Sequence, residues 1–286
     1  MSTVATHDDR ARAARGSPEP SPGAARRRIP EWVSAPFYPI ASLLVLVGVW
    51  DLSVRFLNLP AYLIPAPAAV WHVLVDRFAF LMMHAWVTTI ETVLGFVLSI
   101  AVGIPIALAI VWSRIVEQTV YPVLVLSQAV PKVALAPLLL VWVGFGMDMK
   151  VVVAVLIAFF PIVISAVVGL RSVPAEMIDL GRSMGLGAAK MFFKIRLPYA
   201  LPSLFGGLKV AITLAVVGAV VGEFVGADRG LGYLILLASG QLQMDIMFAA
   251  IVVLVVIGVA LFAMVQQAER WALPWHASVR VSPTGM

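Results

Sequence analysis

The sequence predicts an all-α, polytopic membrane protein whose chain crosses the bilayer about six times. Of its 286 residues, 62% are hydrophobic and only 12% are charged, whereas soluble domains are usually about 45–50% apolar and about 25% charged. The apolar residues are gathered in runs of roughly the 20 residues that a helix needs to cross the hydrocarbon core. The chain has no cysteine, so disulfides and thiolate metal sites are excluded.

Residues 1–34 precede the first apolar run and are predicted to form a disordered tail. They are rich in Arg, Ala, Pro and Ser and show no apolar periodicity, as is typical of unstructured segments. Neither a cleaved signal peptide nor a transit peptide is expected, because no early apolar core is present and the segment contains acidic residues. A second tail is expected over residues 271–286, which leaves 35–270 as the transmembrane domain.

Six spans are expected within this domain, at about residues 36–52, 85–112, 115–145, 151–170, 201–224 and 246–265. The third is long for one crossing and contains Pro122, Pro131 and Pro137. Two short spans are an alternative, but only Lys132 would then serve as a polar loop between them. Because proline removes a backbone donor and disturbs the preceding turn, we favour one broken span. We assign Pro131, Lys132 and Pro137 to the transport pathway, since broken helices at membrane depth line cavities.

The basic residues predict the orientation of the chain. Fourteen of the 20 Lys and Arg residues lie in the two tails, at Arg114 and around residues 171–196, whereas four lie in the opposite connections. Lys and Arg are retained in the cytoplasm, so we expect both termini and the segment at 173–198 to be cytoplasmic.

Four charged residues fall within or near the spans, namely Glu91, Lys132, Lys209 and Glu223. Such groups are functional candidates, but Glu91, Lys209 and Glu223 are interpreted as lying near span ends and reaching the interface. Lys132 either faces the pathway or extends to the cytoplasmic face. A stripe of Gly218, Gly222 and Gly226 lies on one helix face; it serves either an interface near the transport path or close packing within the chain.

Residues 173–198 interrupt the apolar pattern between the fourth and fifth spans. Pro174 and Glu176 suit a first helical turn, and apolar residues then recur every three or four positions on one face. Gly185 and Gly187 permit a turn, after which a helix resumes, and Pro198 is expected to restart the chain into the next span. This predicts a short cytoplasmic helix-turn-helix whose apolar face needs a partner.

Motifs for catalysis, metal binding or nucleotide binding are missing from the sequence. It contains no HExxH, no GxSxG and no GxxxxGK[ST] pattern. We therefore expect no catalytic or metal site, and no binding of ATP phosphates by this chain alone.

The segment resembles the cytoplasmic signature loop of bacterial ABC-importer permeases, written E-A-A, three residues, G, nine residues, I-x-L-P. Gly185, Ile195, Leu197 and Pro198 stand at the matching positions, and residues 179–181, Asp-Leu-Gly, replace Glu-Ala-Ala. The resemblance covers about residues 35–270. Within it, "PKVALAPLLLVWVGFG" and "VVGEFVGADRGLGYLI" are similar to segments of permeases for nitrate, sulfonate, taurine, bicarbonate and thiamine-precursor pyrimidines.

The resemblance implies a type I ABC-importer permease fold in the bacterial inner membrane. It implies a non-catalytic permease subunit, half of a homodimeric pore embedded in the lipid bilayer. A separate cytoplasmic ATPase would carry ATP and Mg, and an extracytoplasmic binding protein would deliver the solute. No cofactor of its own and no nucleic acid are expected. The coupling residues would be Glu176, Asp179, Leu180, Arg182, Met184, Gly185, Leu186, Ala188, Lys190, Ile195, Leu197 and Pro198.

Two questions stay open from the sequence. The solute is first expected to be a small anion such as a sulfonate, nitrate or taurine, with a pyrimidine or another small heterocycle next. Among other protein classes, an ion- or proton-coupled secondary transporter would need intramembrane acids or an internal repeat, and a membrane enzyme would need convergent polar groups. A scaffold would leave the broken third span unexplained.

Overall fold

The computed structural model describes residues 31–274, and within them every regular element is a helix. The tail expected at residues 1–34 and the one at 271–286 therefore lie largely outside the described residues. The helices are α1 (Glu31–Phe56), α2 (Pro67–Asp76), α3 (Phe78–Trp112), α4 (Arg114–Leu126), α5 (Ala136–Val143), α6 (Met147–Arg171), α7 (Ala175–Ser183), α8 (Ala188–Met191), α9 (Leu197–Gly226), α10 (Leu231–Gly240) and α11 (Met244–Ala272). The described residues fall into two compact units, one reaching Leu44 and the other beginning at Val45.

Four helices in the described part of the chain are long and apolar enough to cross a membrane. They are α3 with 35 residues, α6 with 25, the continuous helix Ala188–Gly226 with 39, and α11 with 29. The bent pair Arg114–Ala129 and Lys132–Val143 adds a fifth crossing if its two halves form one span. The remaining expected span, at about 36–52, coincides with α1, which is helical over 26 residues.

The centre of the second unit consists of α3, α6 and α9 packed side by side. Small residues allow the close approach: a Cβ at Gly95 of α3 would lie 2.5 Å from the Cβ of Ala154, and one at Gly218 of α9 would lie 2.5 Å from its Cα. Without a strong hydrophobic force between helices in lipid, small residues at contacts let van der Waals packing hold the helices together. Ala154 of α6 is thus enclosed by glycines from both neighbours.

The third span is broken, as the sequence predicts. Its first half, α4, begins after Ser113, whose hydroxyl accepts a hydrogen bond from the backbone N–H of Val116 at 3.4 Å, a capping contact. Short 3₁₀ turns at Ser127–Ala129 and Lys132–Leu135 flank the break, and the two halves meet at 87°. Each half is shorter than the roughly 20 residues of a full crossing, and the bent pair is a broken span or a re-entrant loop.

Pro198 lies in the first turn of α9, as expected of a residue that restarts the chain, but no break separates α9 from the short helix before it. Helix runs without interruption from Ala188 to Gly226, because a π turn at Phe192–Arg196 precedes the proline. The backbone N–H of Leu197 donates to the carbonyl of Phe192, five residues earlier, and Pro198 then occupies the first turn of α9, where it needs no donor. The resumed helix of the expected helix-turn-helix is therefore the beginning of a membrane span.

Candidate functional sites: the coupling segment and a buried polar cluster

The turn after α7 depends on Gly185. The N–H of Gly185 donates to the carbonyl of Arg182, and that of Leu186 to Gly181, both at 3.0 Å. These two bonds form a Schellman motif, which places its C′ residue in the left-handed region. Gly185 has φ +72°, so the expected turn is present and glycine suits it, since Cβ is absent.

Gly181 explains how α7 folds onto the following helix. A Cβ at this position would lie 2.7 Å from Met191 Cε and 3.0 Å from Ile195 Cδ1. The smallest residue thus stands at the third position of the Asp-Leu-Gly triplet, and two apolar side chains of the second helix pack against it. The departure from Glu-Ala-Ala is compatible with a tight α7–α8 contact.

Most of the other sequence-predicted coupling residues lie on the surface of this segment. Leu180 and Met184 are 54% and 70% exposed, and a cavity of about 350 Å³ between the two helices is lined partly by Arg182, Leu186 and Arg196. The exposed group is Glu176, Asp179, Leu180, Arg182, Met184, Gly185, Ala188 and Lys190, and the half-buried group is Leu186, Ile195, Leu197 and Pro198. Apolar side chains, both basic and acidic groups, and a shallow cavity therefore share one exposed surface.

The residues assigned to the pathway lie around the break in the third span. Pro131 precedes the second 3₁₀ turn, and Pro137 lies in the first turn of α5. Lys132 is half-buried; its ammonium binds the Gln128 amide oxygen and lies 5.6 Å from the centre of the Phe160 ring. Both contacts lie at the bend between the two halves of the broken span.

The glycine stripe packs within the chain. A Cβ on Gly222 would lie 2.9 Å from the Cα of Lys150, and one on Gly226 would lie 2.7 Å from Leu140 Cδ1. Together with Gly218 against Ala154, these contacts align α9 with α6 and the end of α5. Of the two interpretations, close packing inside the chain is the one these contacts support.

Two acidic residues expected at the interface are instead buried. Glu91 and Glu223 have 0% and 1% exposure, so that interpretation is wrong for both. Glu91 forms an ion pair with Lys150 at the start of α6, and the Lys150 side chain is only 5% exposed. Lys209 is also paired, through 2.8 Å to Glu269 of α11. A buried charge requires such pairing because desolvation is costly.

Glu223 holds the beginning of α10. Its Oε2 accepts hydrogen bonds from the backbone N–H of Gly232 and of Tyr233, the latter at 3.3 Å. Its Oε1 accepts from the Thr88 hydroxyl at 2.6 Å, and Thr88 Oγ1 in turn accepts from the N–H of Leu231 at 2.8 Å. A carboxylate at a helix N-terminus satisfies free donors and interacts favourably with the helix dipole.

The conformation of the loop before α10 depends on Gly230 and His84. Gly230 has φ +124°, and a Cβ there would overlap the Glu223 carboxyl. Its N–H donates to His84 Nδ1 at 3.0 Å. Glycine is therefore required for both the backbone conformation and the space.

We define the buried polar cluster as His84, Thr88, Glu91, Lys150 and Glu223. The sequence does not predict this cluster as a unit. The signal was the spacing of His84, Thr88 and Glu91, which lie four and three residues apart and so share one face of α3. Their partners come from distant parts of the chain. Within residues 31–274, no group of three or more His, Cys, Asp or Glu side chains could hold a metal ion.

Comparison with known proteins identifies the family. Residues 99–273 match the family described as binding-protein-dependent transport system inner membrane component. A probable ABC transporter permease of Haemophilus influenzae is 39% identical over 78% of this chain and 91% of its own length. The formylaminopyrimidine transport permease of Halalkalibacterium halodurans is 37% identical over 83% of this chain and 95% of its own.

A solved structure supports the fold. The permease chain in an inward-facing structure of the MetNI methionine ABC transporter superposes with a TM-score of 0.59, covering 68% of this chain and 97% of that chain at 20% identity. The all-helical type I importer permease architecture expected from the sequence is confirmed. The chain belongs to the family of binding-protein-dependent transport system inner membrane components, and is a non-catalytic, multi-pass permease subunit of an ABC importer for a small solute.

Proposed function

We propose that the chain forms one half of a homodimeric pore and that residues 173–198 couple this pore to a cytoplasmic ATPase. The observation that carries the proposal is the continuity of the helix from Ala188 to Gly226. It joins the exposed surface around Gly185 directly to a membrane span. ATP and Mg would bind to the ATPase, and this chain would contribute the surface that the ATPase moves.

The surface of the coupling segment suits a protein partner. It exposes Leu180, Met184 and Phe193, the last at 65%, between charged side chains such as the pair Arg182 and Asp179 at 3.5 Å. Apolar residues surrounded by charged ones are the composition of a protein interface. The match of the segment to the signature loop of importer permeases supports the same assignment.

Gly185 and Gly187 offer a matched test of coupling. Both are exposed, and a Cβ on either would meet nothing within 4 Å. They differ in backbone conformation, because Gly185 has φ +72° and Gly187 has φ −68°. Valine at 185 is strained by roughly 1–3 kcal/mol, whereas valine at 187 is not.

The experiment compares Gly185→Val with Gly187→Val in cells that express the whole importer. We expect both variants to insert normally, and Gly185→Val alone to lose co-purification of the ATPase and ATP-dependent uptake. Full ATPase binding and full uptake by Gly185→Val would show that this segment is not the coupling element.

We further propose that both termini and the coupling segment face the cytoplasm. The absence of cysteine makes single-cysteine labelling direct. Lys190→Cys should resist a membrane-impermeant thiol reagent added to intact cells, whereas Ala227→Cys, beyond the end of α9, should react. The reverse pattern would invert the proposed orientation.

The solute is proposed to arrive on a separate extracytoplasmic binding protein, which would select it. The formylaminopyrimidine named for a relative supports a small heterocycle, beside the small anions that the sequence first suggests. Purifying the binding protein that is encoded beside this permease, and measuring its direct binding of both solute classes, would decide between them.

A further inference from the structure

The cavity of about 350 Å³ in the coupling segment is bounded on one side by Trp112 at the end of α3. Among the described residues that line it, the charged ones are Arg182 of α7 and Arg196, which directly precedes α9, and none is acidic. The other lining residues are apolar. The lining therefore carries two positive charges and no carboxylate, and a cleft lined by one sign of charge attracts ligands of the opposite sign.

Both arginines are available to a ligand. Arg196 is half-buried, and its guanidinium forms no ion pair or hydrogen bond with any residue in the range 31–274. Arg182 has Asp179 as its partner at 3.5 Å, and both of these side chains are 72% exposed. Such an exposed ion pair contributes little, so it does not prevent Arg182 from binding another anion. The planar guanidinium group presents paired N–H donors that match the oxygens of a phosphate.

The cavity lies at the depth of the lipid headgroups. Helix α9 has 30 residues and spans about 45 Å at 1.5 Å per residue, whereas a bilayer with both headgroup layers is about 40–45 Å thick. Arg196 is therefore about one bilayer thickness away from the polar loop that follows Gly226.

The aromatic residues of the cavity indicate the same depth. Trp112 is the last residue of the span α3 and is 63% exposed. Its ring centre lies 5.5 Å from that of Phe192. Tryptophans at the ends of membrane helices are enriched at the level of the headgroups, so one wall of the cavity borders the lipid.

The cavity also faces away from the apolar surface that is proposed to bind the ATPase. On α7, Ile178 and Arg182 line the cavity, whereas Leu180 and Met184 are exposed. The two pairs are offset by two residues, which is about 200° around a helix of 3.6 residues per turn. They point in nearly opposite directions, so a lipid at one face of α7 leaves the other face open to a protein.

We propose that this cavity binds the phosphodiester headgroup of an anionic phospholipid, held between Arg182 and Arg196. Basic pockets at the ends of transmembrane helices bind such headgroups, and Trp112 and Phe192 would contact the apolar part of the same lipid. Because Arg182 belongs to α7 and Arg196 to the helix that enters the membrane, the lipid would join the two. The inference goes beyond the proposed function, since binding needs neither the ATPase nor a second permease.

Ala188 and Ala189 offer a matched pair of labelling positions. Both are exposed, but Ala188 lines the cavity and Ala189 does not. Ala188→Cys and Ala189→Cys are made in the full-length, cysteine-free chain and reacted with N-ethylmaleimide, a neutral thiol reagent, in nanodiscs without the ATPase. The rate at 188 divided by the rate at 189 is then compared between phosphatidylcholine nanodiscs and nanodiscs that also contain phosphatidylglycerol. This ratio removes the general effect of surface charge on thiol reactivity, because the two positions are adjacent.

We expect phosphatidylglycerol to lower this ratio at least threefold, because the bound headgroup covers position 188. Inorganic phosphate added to phosphatidylcholine nanodiscs should leave the ratio unchanged. Arg196→Gln should abolish the protection by phosphatidylglycerol. The control Lys194→Gln removes the same charge from an exposed side chain outside the cavity lining, and it should retain the protection.

An unchanged ratio in phosphatidylglycerol, or equal protection by inorganic phosphate, would overturn the proposal. Equal loss of protection in Arg196→Gln and Lys194→Gln would also overturn it, because net charge rather than this cavity would then hold the lipid. Protection that appears only when the ATPase is added would mean that the cavity receives the partner protein instead.

The comparison of lipids decides the question even where Arg196→Gln fails to fold, because it uses only the two cysteine variants. Its outcome is also separate from that of the coupling experiment. A chain that binds no ATPase would fail in co-purification and still give a labelling ratio, and a chain without the lipid site could still bind the ATPase.

Discussion

Truncation of Glu223 to alanine should destabilise the protein strongly, by an amount that follows from its hydrogen bonds. Its carboxylate accepts from the Thr88 hydroxyl and from the N–H groups of Gly232 and Tyr233. Glu223→Ala leaves these three donors unsatisfied in a buried site. Because Thr88 can turn to the carbonyl of His84, two N–H groups remain unsatisfied, and at about 1–3 kcal/mol for each we expect the free energy of unfolding to fall by about 2–6 kcal/mol.

Glu223→Gln separates hydrogen bonding from charge. The amide oxygen can replace Oε2 as the acceptor for Gly232 and Tyr233, and the amide NH₂ can donate to Thr88 Oγ1. We therefore expect Glu223→Gln to lower the free energy of unfolding by about 1–2 kcal/mol, which is the difference between charged and neutral hydrogen bonds.

Thermal unfolding of the purified protein, followed by tryptophan fluorescence, provides the measurement. At roughly 2–4 °C per kcal/mol for a chain of this size, Glu223→Ala should lower the midpoint by about 4–24 °C and Glu223→Gln by much less. The control is Glu117→Ala, which removes a half-exposed ion pair with Arg171 that contributes about 1 kcal/mol or less. Equal midpoints for the Ala and Gln variants, or an Ala variant no less stable than the control, would refute the role given to these hydrogen bonds.

Three further changes have defined expectations. Lys150→Met leaves Glu91 buried without its cation and should lower the free energy of unfolding by about 3–5 kcal/mol, as measured by thermal unfolding. Adding Glu91→Gln should restore part of this stability. No restoration would mean that the two residues are not coupled. Gly218→Leu places a side chain against Ala154 and should reduce the yield of folded, monodisperse protein in size-exclusion chromatography; a normal elution profile would contradict the packing. Leu242→Gly relieves a left-handed residue at φ +58° and should raise the unfolding midpoint by the equivalent of about 1 kcal/mol; a lower midpoint would argue against strain there.

The sequence predicted the structural features that depend only on residues close together in the chain. The spans follow from runs of apolar residues, and the break near Pro131 follows from proline chemistry. The turn at Gly185 likewise follows from two glycines after an amphipathic segment. Each of these needs only the properties of neighbouring residues, so one sequence is sufficient to predict it.

The buried polar cluster could not be derived in the same way. Glu91 and Lys150 are 59 residues apart, and Thr88 and Glu223 are 135 apart. Their pairing depends on how α3, α6 and α9 pack together, which no local pattern encodes. The continuity of the helix ahead of Pro198 has a similar origin, because the π turn at Phe192–Arg196 leaves no signature in composition.

The unbroken helix from Ala188 to Gly226 has a mechanical consequence. At 1.5 Å per residue, its 39 residues extend about 58 Å, nearly twice the roughly 30 Å of the hydrocarbon core. It can therefore act as a lever that pivots near its midpoint, where Gly207 lies against Pro161 and Ser165 of α6. A tilt of about 10° about its midpoint displaces each end by roughly 5 Å. A shift imposed near Ala188 would thus be delivered at Glu223, and from there to the first turn of α10, without any intervening joint except the π turn.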